Sequence, residues 1–224
     1  MARLARLSAP TSLVDGVHHR LRAWIMDGTP PAGERLVVDG LARDLDVSPT
    51  PVREALARLE SEGLVVKEPR RGWSIAPLLD RDGVADLYQL RLLLEPWAAG
   101  QAARRASEAD VAGLRAELDR CPVAPAEGPF EGYRGIVEHD VRFHGLVLDL
   151  AASPAVRRAF DATHCHLQVF RLAYGRAMGD DALAEHRAVV AAVAAGDPRA
   201  AERAMRAHLR GSLARIEASL GPAP

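Results

Sequence analysis

Residues 35–72 of the chain read RLVVDGLARDLDVSPTPVREALARLESEGLVVKEPRRG. This stretch predicts a short helix, a turn and a second helix opened by a Ser-Pro-Thr-Pro cluster. An apolar strand and a basic hairpin tip that contains glycine follow. The order of these elements is typical of a winged helix-turn-helix, whose second helix lies in the major groove of DNA. Nucleic acid is therefore the first partner that the sequence suggests.

The hydrophobic pattern predicts one further helix before the motif and locates the motif's short helix. Apolar residues at three- and four-residue steps indicate an amphipathic helix over about residues 12–26. A short helix follows around Leu41, with Asp39 as its expected N-cap. After the second helix of the motif, residues 64–66 and 73–75 are predicted as two strands on either side of the hairpin tip.

The rest of the chain has only helical periodicity, broken by turns, and is long enough for six or seven helices. The expected fold is mainly α. It consists of a winged helix-turn-helix in residues 1–76, a linker at residues 77–80 and an all-helical bundle in residues 81–224.

Composition limits the class of protein. The 224 residues, 48% of them apolar, suffice for one large domain or two small ones, and no apolar run approaches the ~18 residues of a membrane span. Cys121 and Cys165 are the only cysteines, which favours a reducing cytoplasm over a disulfide framework. Because the net charge is −1, DNA binding has to come from a local basic patch.

The candidate DNA-reading helix carries its own start signal. Ser48 suits the N-cap, and the prolines after it fall in the first turn, where backbone N–H groups have no helical partner. Arg53, near the N-terminal end, is the better candidate for a guanine or phosphate contact. The candidate DNA-binding residues are Ser48, Thr50, Arg53, Arg58, Arg70 and Arg71, the last two at the hairpin tip. The alternative is a solvated helix with ordinary surface arginines.

The segment SPTPVREALARLESEGLVV, followed by RRGWSI, resembles the signature of the GntR family of bacterial transcription regulators. The resemblance extends back through PAGERL and LARDL and covers about residues 12–78. The family usually carries a DNA-contacting arginine directly after the N-cap serine, where this chain has Pro49, whereas Arg53 matches the family's other DNA-contacting arginine. The resemblance implies a regulator that binds operator DNA as a homodimer, with altered base readout at one operator position.

In the helical part of the chain, four polar residues lie on otherwise apolar helix faces. Asp140 and His144 are one turn apart in IVEHDVRFHGLVL and share a face with apolar residues. His186 lies in line with the valines of EHRAVVAAV, and His208 lies within the apolar stripe of the last helix. Three histidines and one carboxylate suit a divalent metal such as zinc, with nickel or manganese as alternatives. For each histidine alone, the alternative is a buried imidazole hydrogen-bonded to a neighbour.

The other histidines are expected to lie outside this set. His164 and His166 flank Cys165 on what the pattern predicts to be one helix, and residues two apart on a helix point in different directions. His18, His19 and His139 are expected to face solvent.

Residues from about 80 to 220 resemble the FCD effector domain of the FadR-type branch of the same family. The resemblance is carried by LYQLRLLLEPWAA, DVRFH, EHRAVVAAVAAGD and MRAHL. In many members an Asp-x-x-x-His pair and two later histidines hold a metal, and those positions match Asp140, His144, His186 and His208. The resemblance also implies small organic acids as effectors and repression that is relieved by the ligand.

Arg91 lies in the middle of an apolar stripe, and two interpretations of it stay open. It forms an intrahelical ion pair with Glu95, or its guanidinium clamps the carboxylate of an effector near the metal. The candidate effector contacts are Arg91, Arg134 and Tyr133, with Arg171 and Tyr174 as weaker candidates for the same pocket.

Three hypotheses of function result. The leading one is a ligand-responsive transcription regulator that senses a small carboxylate through a metal. The second is a metal-dependent enzyme acting on small organic acids, in which the metal activates water. Against it, neither Glu138 nor Glu185, which lie beside ligand positions, has a clear inward direction as a general base. The third is a purely structural metal in a dimerisation bundle.

Overall fold

The computed structural model describes residues 13–28, 30–122, 130–173 and 180–220. The chain divides into two compact units, Met1–Pro77 and Leu78–Pro224. Tyr174 lies outside the described residues.

The N-terminal unit contains three helices and a three-stranded antiparallel sheet. The helices are α1 (Leu13–Met26), α2 (Val38–Asp44) and α3 (Pro49–Ser61), and the strands are β1 (Arg35–Leu36), β2 (Val65–Glu68) and β3 (Gly72–Ile75). The strand order is β1-β3-β2, with Val65 opposite Ile75 and Leu36 opposite Trp73. This is the arrangement of a winged helix-turn-helix.

Helix α3 forms because its apolar residues recur at helical spacing and are fully buried. They are Val52, Ala55, Leu56 and Leu59. Ser48 is the N-cap residue of α3, as expected, although its side chain makes no capping hydrogen bond, and Pro49 is the first helical residue. Pro51 is buried with the four apolar residues, whereas Arg53 lies on the opposite side of α3 and is exposed.

Two expectations for this unit were wrong, and one strand was missed. The N-cap of α2 is Val37, and Asp39 lies inside the first turn, where an acidic side chain still favours the positive end of the helix. The short strand β1 was not expected, because two residues are too few to show a period-2 pattern. His18 is buried, with 8% of its surface exposed, and its Nε2 lies 2.7 Å from Glu62 Oε1; His19 is exposed, as expected.

Within its described residues the C-terminal unit is all-helical, with seven helices. These are α4 (Arg81–Arg105), α5 (Glu108–Asp119), α6 (Phe130–Leu150), α7 (Pro154–Asp161), α8 (Cys165–Ala173), α9 (Asp180–Ala194) and α10 (Pro198–Ser219). Helix α4 lies along α10 and also packs against α6 and α9. No helix in the described ranges is long and apolar enough to cross a membrane.

The helix starts explain where the turns fall. Asp80 caps α4 by accepting a hydrogen bond from the Gly83 N–H at 2.8 Å, and Asp197 caps α10 in the same way through Ala200. Ser107 and Asp110 form a reciprocal capping box at the start of α5.

The stretch after Pro154 is two helices and not the single helix that its apolar pattern predicted. Helix α7 ends at Asp161, a turn follows, and His164 adopts a left-handed backbone with φ of 47° before α8 begins at Cys165. His166 was set aside because residues two apart on one helix point in different directions. His164 and His166 do not lie on one helix, so this reason does not apply.

Candidate metal centre

Four buried side chains from three helices converge inside the C-terminal unit. Helix α6 supplies Asp140 and His144, α9 supplies His186, and α10 supplies His208. One ligand atom from each lies within 4.8 Å of the others. Asp140 and His144 meet because residues four apart share a helix face. The sequence predicted this set, and the structure brings all four together.

The spacing of these atoms fits a metal ion. In a tetrahedral site with bonds of about 2.1 Å, neighbouring ligand atoms lie about 3.4 Å apart. Asp140 Oδ1 lies 3.6 Å from His144 Nε2 and 3.7 Å from His186 Nε2, and His208 Nε2 lies 3.2 Å from His144 Nε2. These separations lie on both sides of that value.

Two of the three imidazoles are held by glutamates through their far nitrogen. His144 Nδ1 is in close contact with Glu95 Oε2, and His208 Nδ1 lies 2.8 Å from Glu185 Oε2. A carboxylate only accepts hydrogen bonds, so each Nδ1 carries a proton and each Nε2 is the nitrogen directed toward the metal position. Histidines that bind metals usually have such a partner, which fixes the tautomer and the ring orientation.

His186 is held through a second imidazole. Its Nδ1 lies 3.2 Å from His139 Nε2, and His139 Nδ1 lies 3.1 Å from both Glu117 Oε1 and the Glu117 carbonyl oxygen. Donation from His139 to Glu117 leaves His139 Nε2 as the acceptor for the N–H of His186. His139 is 1% exposed, so the expectation that it faces solvent was wrong.

Each of the three glutamates is also paired with an arginine. Arg91 Nε lies 2.6 Å from Glu95, Arg142 Nε 3.0 Å from Glu117, and two nitrogens of Arg215 lie 2.9 Å from Glu185. At Glu95 and Glu185 the guanidinium favours the ionised carboxylate, which keeps the proton on Nδ1 of its imidazole. The intrahelical pair of Arg91 with Glu95 is confirmed.

The aspartate has an orienting partner that the sequence did not reveal. His166 Nδ1 lies 2.5 Å from Asp140 Oδ2, the oxygen that does not face His144 and His186. His166 is 7% exposed, and its Nε2 has no hydrogen-bond partner among the described residues. This contact holds one carboxylate oxygen and leaves the other directed at the metal-facing nitrogens.

The protonation of the site favours a cation. Burial, together with His208 and His144, holds the pKa of His186 well below its usual value. Burial also lowers the pKa of His208. Although burial opposes it, His166 and His144 keep the pKa of Asp140 well below its usual value. Near neutral pH the cluster thus offers a carboxylate and two neutral imidazoles.

Two features are unfavourable unless a positive group occupies the centre. The Nε2 of His186 is buried without a hydrogen-bond partner in the described structure. The Nε2 atoms of His144 and His208 face each other at 3.2 Å with Nδ1 protonated on both rings, so their lone pairs would repel unless a proton or a metal ion lies between them. A metal ion removes both penalties, and the residues present therefore fit one.

The predicted effector contacts lie in different environments. Arg91 is buried, and its Nη2 has no hydrogen-bond partner in the described parts of the chain. Tyr133 is also buried, with 4% of its surface exposed. Arg134 is exposed on α6, with its Nε 4.0 Å from Glu138, and Arg171 on α8 is partly buried.

The predicted DNA-binding residues all lie on the winged-helix unit, and most face solvent. Ser48, Thr50 and Arg53 are exposed at the start of α3. Arg58 is also exposed, but its Nη1 lies 2.5 Å from Asp15 Oδ1 of α1. Arg70 and Arg71 lie between β2 and β3, where Arg70 has a left-handed backbone with φ of 66° and Arg71 pairs with Glu68 at 3.3 Å.

Comparison with family models agrees with both units. The model described as bacterial regulatory proteins, gntR family, matches residues 13–75, and the model of the FCD domain matches residues 86–211, more than half of the chain. The chain belongs to the gntR family. It is a DNA-binding transcription regulator with a winged helix-turn-helix and an FCD domain, and the four converging ligands lie within the FCD match.

Relatives of this gntR-family regulator are regulators as well. A putative L-lactate dehydrogenase operon regulatory protein of Escherichia coli (strain K12) is 30% identical over 89% of this chain and 84% of its own length. A probable D-xylose utilization operon transcriptional repressor of Paenarthrobacter nicotinovorans is 28% identical, over 89% and 86%. These relatives give no support to the enzyme hypothesis.

Solved structures share the fold of the regulator. Escherichia coli McbR/YncC superimposes with a TM-score of 0.68 at 20% sequence identity, covering 92% of this chain and 98% of that chain. A putative GntR regulator from Rhodococcus sp. RHA1 gives a TM-score of 0.66 at 24% identity, over 92% and 97%.

Proposed function

We propose that this regulator is a repressor that binds operator DNA as a homodimer and senses a small carboxylate at a metal held by its FCD domain. The observation that carries the proposal is the cluster of Asp140, His144, His186 and His208. Each of its imidazoles directs Nε2 to one point and has its Nδ1 held by a partner. Histidines that bind a metal usually have their second ring nitrogen held in this way, whereas a buried polar cluster without a metal does not require it.

Zinc is the proposed metal. Three neutral imidazole nitrogens and one carboxylate oxygen suit zinc, with nickel and manganese as alternatives. When bound, the ion would supply a Lewis-acidic positive charge that attracts an anionic oxygen of the effector.

The residues of the chain would supply the remaining recognition. Arg91 keeps one buried guanidinium nitrogen without a hydrogen-bond partner in the described structure, and His166 keeps Nε2 in the same condition. Buried polar atoms of this kind are costly unless a ligand satisfies them. A carboxylate can accept a hydrogen bond from the guanidinium of Arg91, so Arg91 is the proposed effector contact, with Tyr133 and Arg134 as outlying candidates.

Control of DNA binding follows from linkage. An effector shifts the regulator only by binding one conformation better than the other. In the DNA-binding conformation we propose that Ser48, Thr50 and Arg53 of α3 meet the major groove, and that Arg70 and Arg71 of the wing contact the backbone. Arg58 is assigned a lesser role, because its guanidinium is engaged by Asp15.

Metal analysis of the purified full-length protein tests the FCD part of the proposal. We expect about one zinc per chain after dialysis against trace zinc, and loss of that zinc in His186→Ala and in His208→Ala. Asp181→Ala, a change of an exposed acidic residue near the start of α9, is the matched control and should keep its metal. Full occupancy in both histidine variants would overturn the site.

DNA binding tests the regulatory part. The probe is a duplex selected by the full-length protein from a random pool. Arg53→Ala should weaken binding by about 1–3 kcal/mol and reduce the salt dependence by about one charge, while the exposed Arg210→Ala of α10 should not. A panel of small carboxylates is then added with zinc, starting with 2-hydroxycarboxylates, because one relative is named for an L-lactate dehydrogenase operon. If no carboxylate alters the DNA affinity of the metal-loaded protein, the result would support a purely structural metal instead.

A further inference from the structure

Helix α4 carries an outward stripe that the fold of its own unit does not use. Leu90, Leu93 and Trp97 are 38%, 63% and 40% exposed, and they lie at spacings of three and four residues. At about 100° per residue, these three side chains fall within an arc of about 60°. Isolated exposed apolar residues are ordinary, but three large ones on one helix stripe mark an interaction surface.

Charged residues continue the same stripe beyond its apolar centre. Asp82 and Asp86 precede it, and Arg104 follows it; all three are exposed. None of the three has an ion-pair partner within the described part of the C-terminal unit. The stripe is therefore acidic at the N-terminal end of α4, apolar in the middle and basic at the C-terminal end.

The charge order along this stripe is complementary to that of a second copy running in the opposite direction. Leu93 is eleven residues from Asp82 and eleven from Arg104, while Leu90 and Trp97 lie three and four residues from it on opposite sides. A two-fold axis at Leu93 therefore places Leu90 of one copy opposite residue 96 of the other, one residue from Trp97, and brings the acidic end toward the basic end. A parallel pairing would instead align acid with acid, which repels.

A groove beside the stripe provides space for the partner's aromatic side chain. It has a volume of about 650 Å³ and runs between α4 and the start of α8. Its lining includes Asp86, Leu87, Leu90, Leu93, Thr163 and Gln168. In the reversed pairing, Trp97 of the partner lies beside Leu90, at the edge of this groove. Large aromatic side chains that fill apolar pockets are the usual anchors of protein interfaces.

We propose that α4 pairs antiparallel with α4 of a second copy of this chain, with Leu93 on the two-fold axis and each Trp97 packed against the partner's Leu90. This pairing deepens the proposed homodimer, on which it rests, by assigning its surface and register. It also connects the interface to the metal centre, because Glu95, which holds His144, lies on the same helix as Leu93 and Trp97.

Oligomeric state provides the first test. Light scattering on the eluting full-length protein should give twice the 24.1 kDa chain mass for the wild type. Leu93→Asp should shift the protein to monomer, with unchanged helix content. Val141→Asp is the control, because Val141 is an exposed apolar residue of α6 outside the stripe, and it should stay dimeric. A dimeric Leu93→Asp would overturn the α4 surface but leave the homodimer, whereas a monomeric wild type would overturn both.

Cysteine cross-linking tests the register. Helix axes about 8–10 Å apart, each with Cα atoms about 2.3 Å from the axis, bring facing Cα atoms to about 3.4–5.4 Å, a range that overlaps disulfide geometry. In a Cys121→Ser background, oxidised Leu93→Cys should form a covalent dimer. The double variant Leu90→Cys with Trp97→Cys should also cross-link, while Leu90→Cys alone should not. Cross-linking of Leu90→Cys alone, or its absence in Leu93→Cys, would overturn the antiparallel register.

Discussion

At the scale of single residues, the metal centre depends on which nitrogen of each imidazole carries the proton. The carboxylates of Glu95 and Glu185 fix that proton on Nδ1 of His144 and His208, and His139 does the same for His186. The three Nε2 atoms are thereby directed to one point before any ion arrives. The energetic cost of aligning the ligands is met during folding, which raises the affinity of the site.

Removing one of these hydrogen-bond partners should weaken metal binding without removing a metal ligand. In Glu185→Gln the side chain keeps its size but loses the charge that holds the Nδ1 proton of His208. Despite partial burial, hydrogen bonds from Arg215 and His208 lower the pKa of Glu185 to about 2, so the group is ionised at any working pH. We expect zinc affinity to fall by about 10–100-fold, measured by competition with a chromophoric chelator.

Glu138→Gln is the matched control for that variant. Glu138 is half exposed and lies near Arg134 and Arg142, with no imidazole among its ion-pair partners in the described structure. Its zinc affinity should equal that of the wild type. Equal affinities in the two variants would show that the glutamate does not support the metal ligand.

His166 should act on the metal through Asp140. In His166→Leu, Asp140 Oδ2 loses its 2.5 Å partner, so the carboxylate can rotate and offer both oxygens to the ion. We expect about tenfold weaker binding and a changed visible absorption spectrum of the cobalt-substituted protein, because that spectrum reports the ligand arrangement. His164→Leu, a change in the turn before α8, should leave the spectrum unchanged. A wild-type spectrum in His166→Leu would contradict this role.

For the helices, the sequence predicted which residues share one face of a single helix. It did not predict the side-chain contacts that join different helices. Asp140 and His144 are one turn apart on α6, so periodicity alone placed them on one face. The contacts of His139 with Glu117 and of Asp140 with His166 join separate helices, and no spacing in the sequence encodes them. The break between α7 and α8 was also not predicted, and it lets His166 face Asp140 of α6.

Helix α3 carries the clearest departure from the family pattern in the DNA-reading part. Pro49 is the first residue of α3 and lies where the family usually has an arginine, at the end that we propose enters the major groove. Proline has no side-chain donor, so it cannot hydrogen-bond to a guanine edge. We expect Pro49→Arg to keep the fold, since the first turn needs no N–H partner, and to change the DNA sequence that is selected.

Selection from a random duplex pool measures that change. The wild type should select a site with one position free of preference, and Pro49→Arg should add a preference for guanine there, worth about 1–3 kcal/mol. Glu60→Ala, a change of an exposed residue near the other end of α3, is the control and should select the same site as the wild type. Identical selected sites for wild type and Pro49→Arg would mean that this end of α3 does not reach the bases.

At the scale of the whole molecule, the metal would stabilise one unit only. All four ligands and all their partners belong to Leu78–Pro224, and none belongs to the winged-helix unit. An ion that binds the folded unit and not the unfolded chain stabilises it by about 2.7 kcal/mol at a hundredfold excess over Kd. A signal to the DNA-binding unit has to arise from a difference in metal or effector binding between two arrangements of the proposed dimer.

The pH dependence of this stabilisation has a definite sign. Despite burial, Glu95 and Asp140 raise the pKa of His144, so a proton competes with the ion for this imidazole more strongly than it would for a free one. The zinc-induced rise in Tm of the helical unit, followed by scanning calorimetry of the full chain, should therefore be larger at pH 8 than at pH 6. The winged-helix unit, which has no ligand, should show no rise at either pH, and His208→Ala should abolish the rise. A rise that is independent of pH would mean that no proton leaves His144 when zinc binds.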